Sequence, residues 1–174
     1  TETLSHMLLK AQVEPLNNAP FHVDACLRAL PGVHFGAGLW SAAVTKRTKT
    51  IANADRHGFY ILINTECPLQ IHAAEETLLD EGDAIFLSCV QDVSIIRNIA
   101  GRLTCARVDE IQFKVLVPDA AAFNGLVIRR GNEALRLLTT YLRDADDKQS
   151  LLGADLRQAV VAHIFHLLAL TLNT

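Results

Sequence analysis

"GFYILINT", Gly58 to Thr65, is apolar on both faces until Asn64. A strand of this kind needs a covering layer on each side, as in the interior of a barrel or sandwich. Working outward, "LLDEGDAIFL", Leu78 to Leu87, sets two short apolar runs on either side of an acidic corner. Gly82 supplies the positive φ that a tight corner needs. Asp80, Glu81 and Asp83 keep the corner in water, and Asp83 is placed to bond nearby backbone N–H groups. Turning "ETLL" into "AIFLS" in this way is how an antiparallel jelly-roll closes.

Strand texture runs from Phe21 to Val117. "FHVDACLRAL" (21–30) alternates partly, and "LPG" at Leu30 to Gly32 is a turn. "LWSAAVTKRT" (39–48) is rich in branched and aromatic residues. "CPLQIHA" and "ETLLD" form a hairpin about Ala73-Ala74-Glu75, and "AIFLSCV", "VSIIRNI", "RLTCARV" and "IQFKVLV" follow at short intervals. Many short strands with regular turns predict an all-β barrel or sandwich. In "HFGAGLW", Gly36 and Gly38 are read as a strand bulge or turn, since no helix with phosphate-loop spacing follows.

At its start, "LSHMLLKA" allows one or two helical turns with Ser5 as a cap, and "VEPLNNAP" then breaks them, so residues 1–20 read as an arm. At its end the period changes after Pro118. "VPDAAAFNGL" opens with a helix-favouring Pro-Asp pair. Leu135, Leu138 and Leu142 step by three and four, as do Leu152, Leu156, Ala159, His163, Leu167 and Leu170, with Ser150 as an N-cap. A second apolar face at Val161, Phe165, Leu168 and Leu172 gives the last helix two stripes, one for the barrel and one for a second subunit.

The 174 residues fit one domain, or one domain with a helical appendage. Half of them are hydrophobic, a fifth are charged and the net charge is −3, which gives no footprint for gripping nucleic-acid phosphates. The basic groups at Lys46, Arg47 and Lys49 and at Arg129 and Arg130 are too small for a polyphosphate track and read as solvated surface. Cys26, Cys67, Cys89 and Cys105 form no CxxC pair and are expected reduced and buried, which suits the cytoplasm. Val160 to Leu172 is interrupted by His163 and His166 and falls short of the about 20 residues of a membrane crossing.

The order of "PFHVDACLRALPG", the "KRT" strand end at Lys46 to Thr48, "GFYILIN", the Gly-Asp corner, "AIFLSC", "GRL" at Gly101, "VLVP" at Val115 to Pro118, "ALRLLTTYL" and "HIFHLLALTL" resembles the N-terminal sensor and dimerisation domain of AraC-type transcription regulators. The resemblance runs from Phe21 to Leu172. It implies a mainly β fold with C-terminal α: a cupin-like double-stranded β-helix (a jelly-roll barrel) over 21–117, then two to three helices over 118–174. It also implies a small-molecule effector held in the barrel, a homodimer through the C-terminal helices, and DNA contact only through a separate helix-turn-helix domain that this chain lacks. The chain departs from the family at "HAAEE" (His72 to Glu76), where a Gly is usual, and at Glu81, where Pro often precedes the Gly; both change loops at a barrel mouth.

A metal-dependent cupin enzyme is the alternative. Its usual ligands are two His spaced by one residue, then a Glu and a later His. This chain has no HxH, and His34, His57 and His72 fall on separate segments, so no metal and no cofactor are expected. His163 and His166 form HxxH within a helix, read as one interface bond and one solvent-facing ring. Ser41, Ser88 and Ser94 lack a GxSxG frame, and "DADD" (144–147) reads as a solvated helix end. Small-molecule sites are apolar with a few convergent polar groups. The large or polar strand residues that fit are His34, Trp40, Tyr60, Phe86, Arg97 and Arg107. Trp40 and Tyr60 would cover a ligand, and either arginine would pair with a carboxylate through its fork.

Overall fold

The computed structural model describes residues 11–16, 20–48, 58–147 and 153–173. Its strand-rich part folds as two antiparallel sheets. A five-stranded sheet has the order β1-β4-β9-β6-β7 and a six-stranded sheet the order β11-β8-β5-β10-β3-β2. Their members are β1 (Gln12–Pro15), β2 (Val23–Leu30), β3 (Val33–Trp40), β4 (Ala43–Arg47), β5 (Gly58–Asn64), β6 (Leu69–His72), β7 (Glu76–Leu79), β8 (Ala84–Ser88), β9 (Val93–Arg97), β10 (Gly101–Asp109) and β11 (Val127–Ile128). The helices are α1 (Glu110–Lys114), α2 (Glu133–Asp147) and α3 (Ala154–Leu172), with a 3₁₀ turn at Ala120–Phe123.

β5 is buried along its whole length, as its two apolar faces require. Phe59, Ile61 and Ile63 face the helices, in one layer with Phe35, Phe86, Phe113, Leu138, Ile164, Phe165 and Leu168. Tyr60 and Leu62 face the other way, between the sheets, with Leu69, Ile71, Leu87, Ile95, Leu103 and Cys105. Period-two alternation in one strand thus serves two cores at once.

The chain passes between the sheets at short corners. One is the acidic corner, which carries it from β7 in the smaller sheet to β8 in the larger. Gly82 has φ +87° there, and a Cβ on it would press against Arg130. Asn64, the one polar residue of β5, clamps this corner. Its N–H donates to the Asp83 carbonyl (2.8 Å), its carbonyl accepts from the Gly82 N–H (2.7 Å), and its Nδ2 donates to the Leu79 carbonyl (3.0 Å). The Asp83 carboxylate accepts from Arg129 Nη1 (2.7 Å), the Arg130 N–H (2.9 Å) and the Asp80 N–H (3.3 Å). Burial would raise the Asp83 pKa. The bonds from Arg130, Arg129 and Asp80 outweigh it and hold the carboxyl below its usual range.

Several expectations from sequence give way. "IQFKVLV" is not a strand: Asp109 caps α1 by accepting from the Gln112 N–H (3.0 Å). Phe113 and Val117, four apart, are buried, while Ile111 and Val115 are exposed, which is helical spacing. "LWSAAVTKRT" is two strands, broken where β3 leaves the larger sheet and β4 joins the smaller one. Gly36 and Gly38 lie inside regular β3. There β2 comes so close that a Cβ would collide with the Cys26 carbonyl and with Ala25, so close approach rather than a bulge explains them. Part of the arm is a strand, β1, paired with β4 from Gln12↔Lys46 to Pro15↔Ala43. Cys26 is exposed and Cys67 half-buried; only Cys89 and Cys105 are buried, and all four are free. "LSHMLLKA", Ser150 and Leu152 lie outside the described residues.

A carboxyl whose pKa is held low when folded favours the folded state above its unfolded value and loses that contribution as pH falls through the folded one. Asp83→Ala is expected to cost about 2–3 kcal/mol at neutral pH, from the lost charge-assisted bonds. Asp83→Asn is expected to flatten the fall of stability on acidification. Urea unfolding from pH 7 down to pH 4 checks both.

Candidate functional site

The space between the sheets is lined by one parity of each strand. β3 turns His34, Gly36, Gly38 and Trp40 inward, opposite in parity to Val33 and Phe35 of the helix-facing layer. β10 turns in Leu103, Cys105 and Arg107, and β5 turns in Tyr60 and Leu62. In β4 and β9 the inward set is Ala43, Thr45, Arg47 and Val93, Ile95, Arg97, matched through Ala43↔Arg97, Thr45↔Ile95 and Arg47↔Val93.

A narrow cleft, open to solvent, enters this space at one end. Trp40 and Ser41 at the end of β3, Ala43 and Thr45 of β4, Leu62 of β5, Leu103 of β10, and Ile95 and Arg97 of β9 line it. Its walls are apolar, apart from Arg97 and the hydroxyls. Arg97 is 3% exposed, and its Nη1 and Nη2 have no hydrogen-bond partner among the described residues. Burial pushes its pKa down, against the pull of Cys67 and Glu66. Glu66 does not cap it: its Oε2 accepts from the Arg102 N–H (2.7 Å). Trp40 Nε1, also without a partner, sits beside the cleft, its ring against Phe21 at 6.3 Å. These two groups are donors only, so a ligand completing the site must bring acceptors.

The six residues singled out from sequence divide. Trp40 and Arg97 meet at the cleft. Tyr60, Arg107 and His34 form one cross-strand row at the other end of the same interior, through Tyr60↔Arg107 and Arg107↔His34. Phe86 is the exception. It faces the helices, stacked on Phe59 at 5.2 Å and against Phe113 at 6.1 Å, because β8 alternates Ile85 and Leu87 inward and Phe86 outward. Sequence reading missed Arg47, taken as surface with Lys46. Lys46 does point out, to Glu14 at 2.8 Å, but Arg47 is 2% exposed and inside. The signal was its parity with Ala43 and Thr45. Cys105 lies in the same interior; burial, with Cys89 nearby, pushes its thiol up to about 12, so it stays protonated and acts as filler.

On α3, Val160, Ile164, Phe165, Leu168 and Leu172 are buried, while Leu156, His163 and Leu170 are exposed and Ala159 and Leu167 half-buried. His163 Nδ1 meets the Tyr141 hydroxyl (3.0 Å), and His166 Nδ1 donates to the Ala162 carbonyl (2.7 Å). Among the described residues, no group of three or more His, Cys, Asp and Glu side chains is placed to hold a metal, and no helix is long and apolar enough to cross a membrane.

No protein-family profile and no curated protein sequence matches this chain. Solved structures do match it. The AraC-like transcriptional activator CuxR superposes on 94% of this chain with a TM-score of 0.76 at 13% identity. This chain spans 62% of that protein's length. The Clostridium difficile EutQ protein (TM-score 0.43, 12% identity, 56% of this chain and 71% of that one) and the Schizosaccharomyces pombe Cnp3 cupin domain (TM-score 0.43, 10% identity, 57% and 70%) overlap in part. The first likeness extends over the barrel and the helices, and establishes the fold as a cupin-like double-sheet barrel followed by C-terminal helices.

A buried guanidinium whose Nη1 and Nη2 find no acceptor among the described residues costs several kcal/mol of desolvation. Arg97→Met, of similar volume and apolar, is therefore expected to raise the thermal midpoint of the ligand-free protein by a few degrees, read by calorimetry; a fall of several degrees would mean the guanidinium is already satisfied.

Proposed function

We propose that this chain is the effector-sensing and dimerising domain of an AraC-type transcription regulator, and that its effector is a small molecule with an acidic or oxygen-rich group. The observation that carries the reading is Arg97, buried and unpartnered in the mouth of an apolar barrel beside the Trp40 ring. Its planar fork suits a carboxylate, and Trp40 offers a face for the rest of the ligand. The fold shared with a transcriptional activator over nearly the whole chain supports a regulatory role rather than a catalytic one.

Binding at the cleft has two routes to the rest of the molecule. Ala43 and Thr45 of the lining belong to β4, whose outer edge carries β1 through Pro15↔Ala43 and Val13↔Thr45. Trp40 ends β3, whose opposite face packs under α2. A ligand that fits one arrangement of β1 or of the helices better than another shifts the population toward it. In this reading the exposed Leu156, His163 and Leu170 of α3, with the half-buried Ala159 and Leu167 between them, meet the same residues of a second copy; Leu152, also read from sequence as part of this stripe, lies outside the described residues. The helices then set the spacing of separate C-terminal DNA-binding domains. The net charge of −3 agrees with DNA contact lying outside this domain.

Trp40 is the sole tryptophan, so its emission reports the cleft directly. Titration with small aliphatic and aromatic acids is expected to give a saturable change, with neutral esters and sugars weaker. Arg97→Met is expected to weaken the best acid at least tenfold, about 1.4 kcal/mol. Flat emission with every acid, or equal binding of acid and ester, contradicts the reading. For the interface, sedimentation over a concentration series is expected to give a dimer, and Leu156→Asp with Leu170→Asp a folded monomer; a wild-type monomer throughout would remove the interface.

A further inference from the structure

Arg47 is not part of the cleft lining; it lies two positions along β4 beyond Thr45 of that lining. It stands four positions along β4 from Ala43, the residue opposite Arg97. At about 3.3 Å per residue that is about 13 Å. Leu62 and Ile95, which also wall the cleft, belong with Cys105 to the apolar cluster of this interior. Arg47 is 2% exposed, and its Nε, Nη1 and Nη2 all lack a hydrogen-bond partner among the described residues. Its guanidinium carbon is 6.0 Å from the centre of the Tyr60 ring, a cation–π contact that offers no acceptor for the five N–H groups. The Tyr60 hydroxyl is fully buried and also lacks a partner.

We propose that Arg47 and Tyr60 form a second, enclosed seat for a small oxyanion, a carboxylate or phosphate group, at the end of the barrel away from the Arg97 cleft. The chemistry of the seat is one-signed. A guanidinium fork matches two oxygens of such a group, and each pair of N–H···O bonds replaces hydration the arginine has lost. Burial raises the Tyr60 pKa beyond the opposing pull of Arg47, so the phenol keeps its proton and stands as a donor instead of a competing anion. Arg107 and His34 continue the same cross-strand row, on the same face as Tyr60. Cys89, Cys105 and Val93 of the same apolar cluster surround this end of the interior. The anion therefore supplies the acceptors that Arg47 lacks among the described residues, and its binding is coupled to stability.

The test is calorimetric melting of wild type, Arg97→Met, Arg47→Met and Arg47→Lys against rising phosphate and rising acetate, each at matched ionic strength with chloride as the baseline. Wild type and Arg97→Met are expected to gain stability with the logarithm of one of the two anions beyond the chloride baseline, and the arm that does so names the anion. Arg47→Met is expected to melt higher than wild type without added anion and, combined with Arg97→Met so that the cleft contributes nothing, to lose the response that Arg97→Met alone keeps. Arg47→Lys keeps the charge without the fork, and its apparent affinity is expected to fall about tenfold. Should Arg47→Met not fold, the lysine variant decides by the same measurement. An anion response unchanged in both Arg47 variants, or no wild-type response above chloride, overturns the seat. A response lost in Arg97→Met and kept in Arg47→Met overturns it too, while leaving the cleft as the anion site.

Discussion

The structure depends on the alternation of β5. One strand must satisfy a layer of helices with Phe59, Ile61 and Ile63 and a barrel interior with Tyr60 and Leu62, and neither set can be exposed. A slip of one residue would exchange the two faces and send the Tyr60 hydroxyl into the aromatic layer, where Phe59, Phe86, Phe113 and Phe165 pack ring on ring. Asn64 fixes the register by ending the strand on the acidic corner, with bonds to Leu79, Gly82 and Asp83. The corner then hands the chain to β8, which pairs back on β5 as Ile61↔Phe86 and Leu62↔Ile85. Once these pairings stand, the parity of every neighbouring strand follows, and with it the direction of each arginine.

The two buried arginines are the costly part of this design. A cationic side chain is seldom fully buried without a partner. Here two are, on adjacent antiparallel strands, within a mostly apolar layer. Such placements break the local rules that make a sequence foldable, and they concentrate where a protein must bind something. Glu66, whose charge acts on Arg97, gives one carboxylate oxygen to the Arg102 N–H. In the proposed function this charge is what a ligand would meet, and the walls of β3 and β4 adjoin α2 and β1.

Much of the fold was legible in the sequence, because its signals are local. The two apolar faces of "GFYILIN", the Gly82 corner and the three-and-four leucine steps of α2 and α3 each depend on a few neighbouring residues. What escaped depends on partners distant in the chain. β3 reads poorly because Gly36 and Gly38 look like turn residues until β2 lies against them. α1 reads as a strand because Ile111, Phe113, Val115 and Val117 alternate; only burial of Phe113 and Val117 beneath the helices chooses between the two periods. Of the residues singled out by type, Trp40 and Arg97 line the cleft, while Phe86 and Arg47 were misplaced by one step of parity. That parity is set by the pairings Ile61↔Phe86 and Arg47↔Val93, which no single strand contains.

The central claim is that the barrel holds an uncompensated cation that binds an anion. A crystal structure of the protein soaked with a bromine-labelled small carboxylic acid tests it most directly, since anomalous scattering marks the ligand without ambiguity. The account predicts bromine density in the cleft beside Trp40, with the carboxylate bridging Nη1 and Nη2 of Arg97. An empty cleft, with Arg97 turned out to solvent or paired with Glu66, would contradict it.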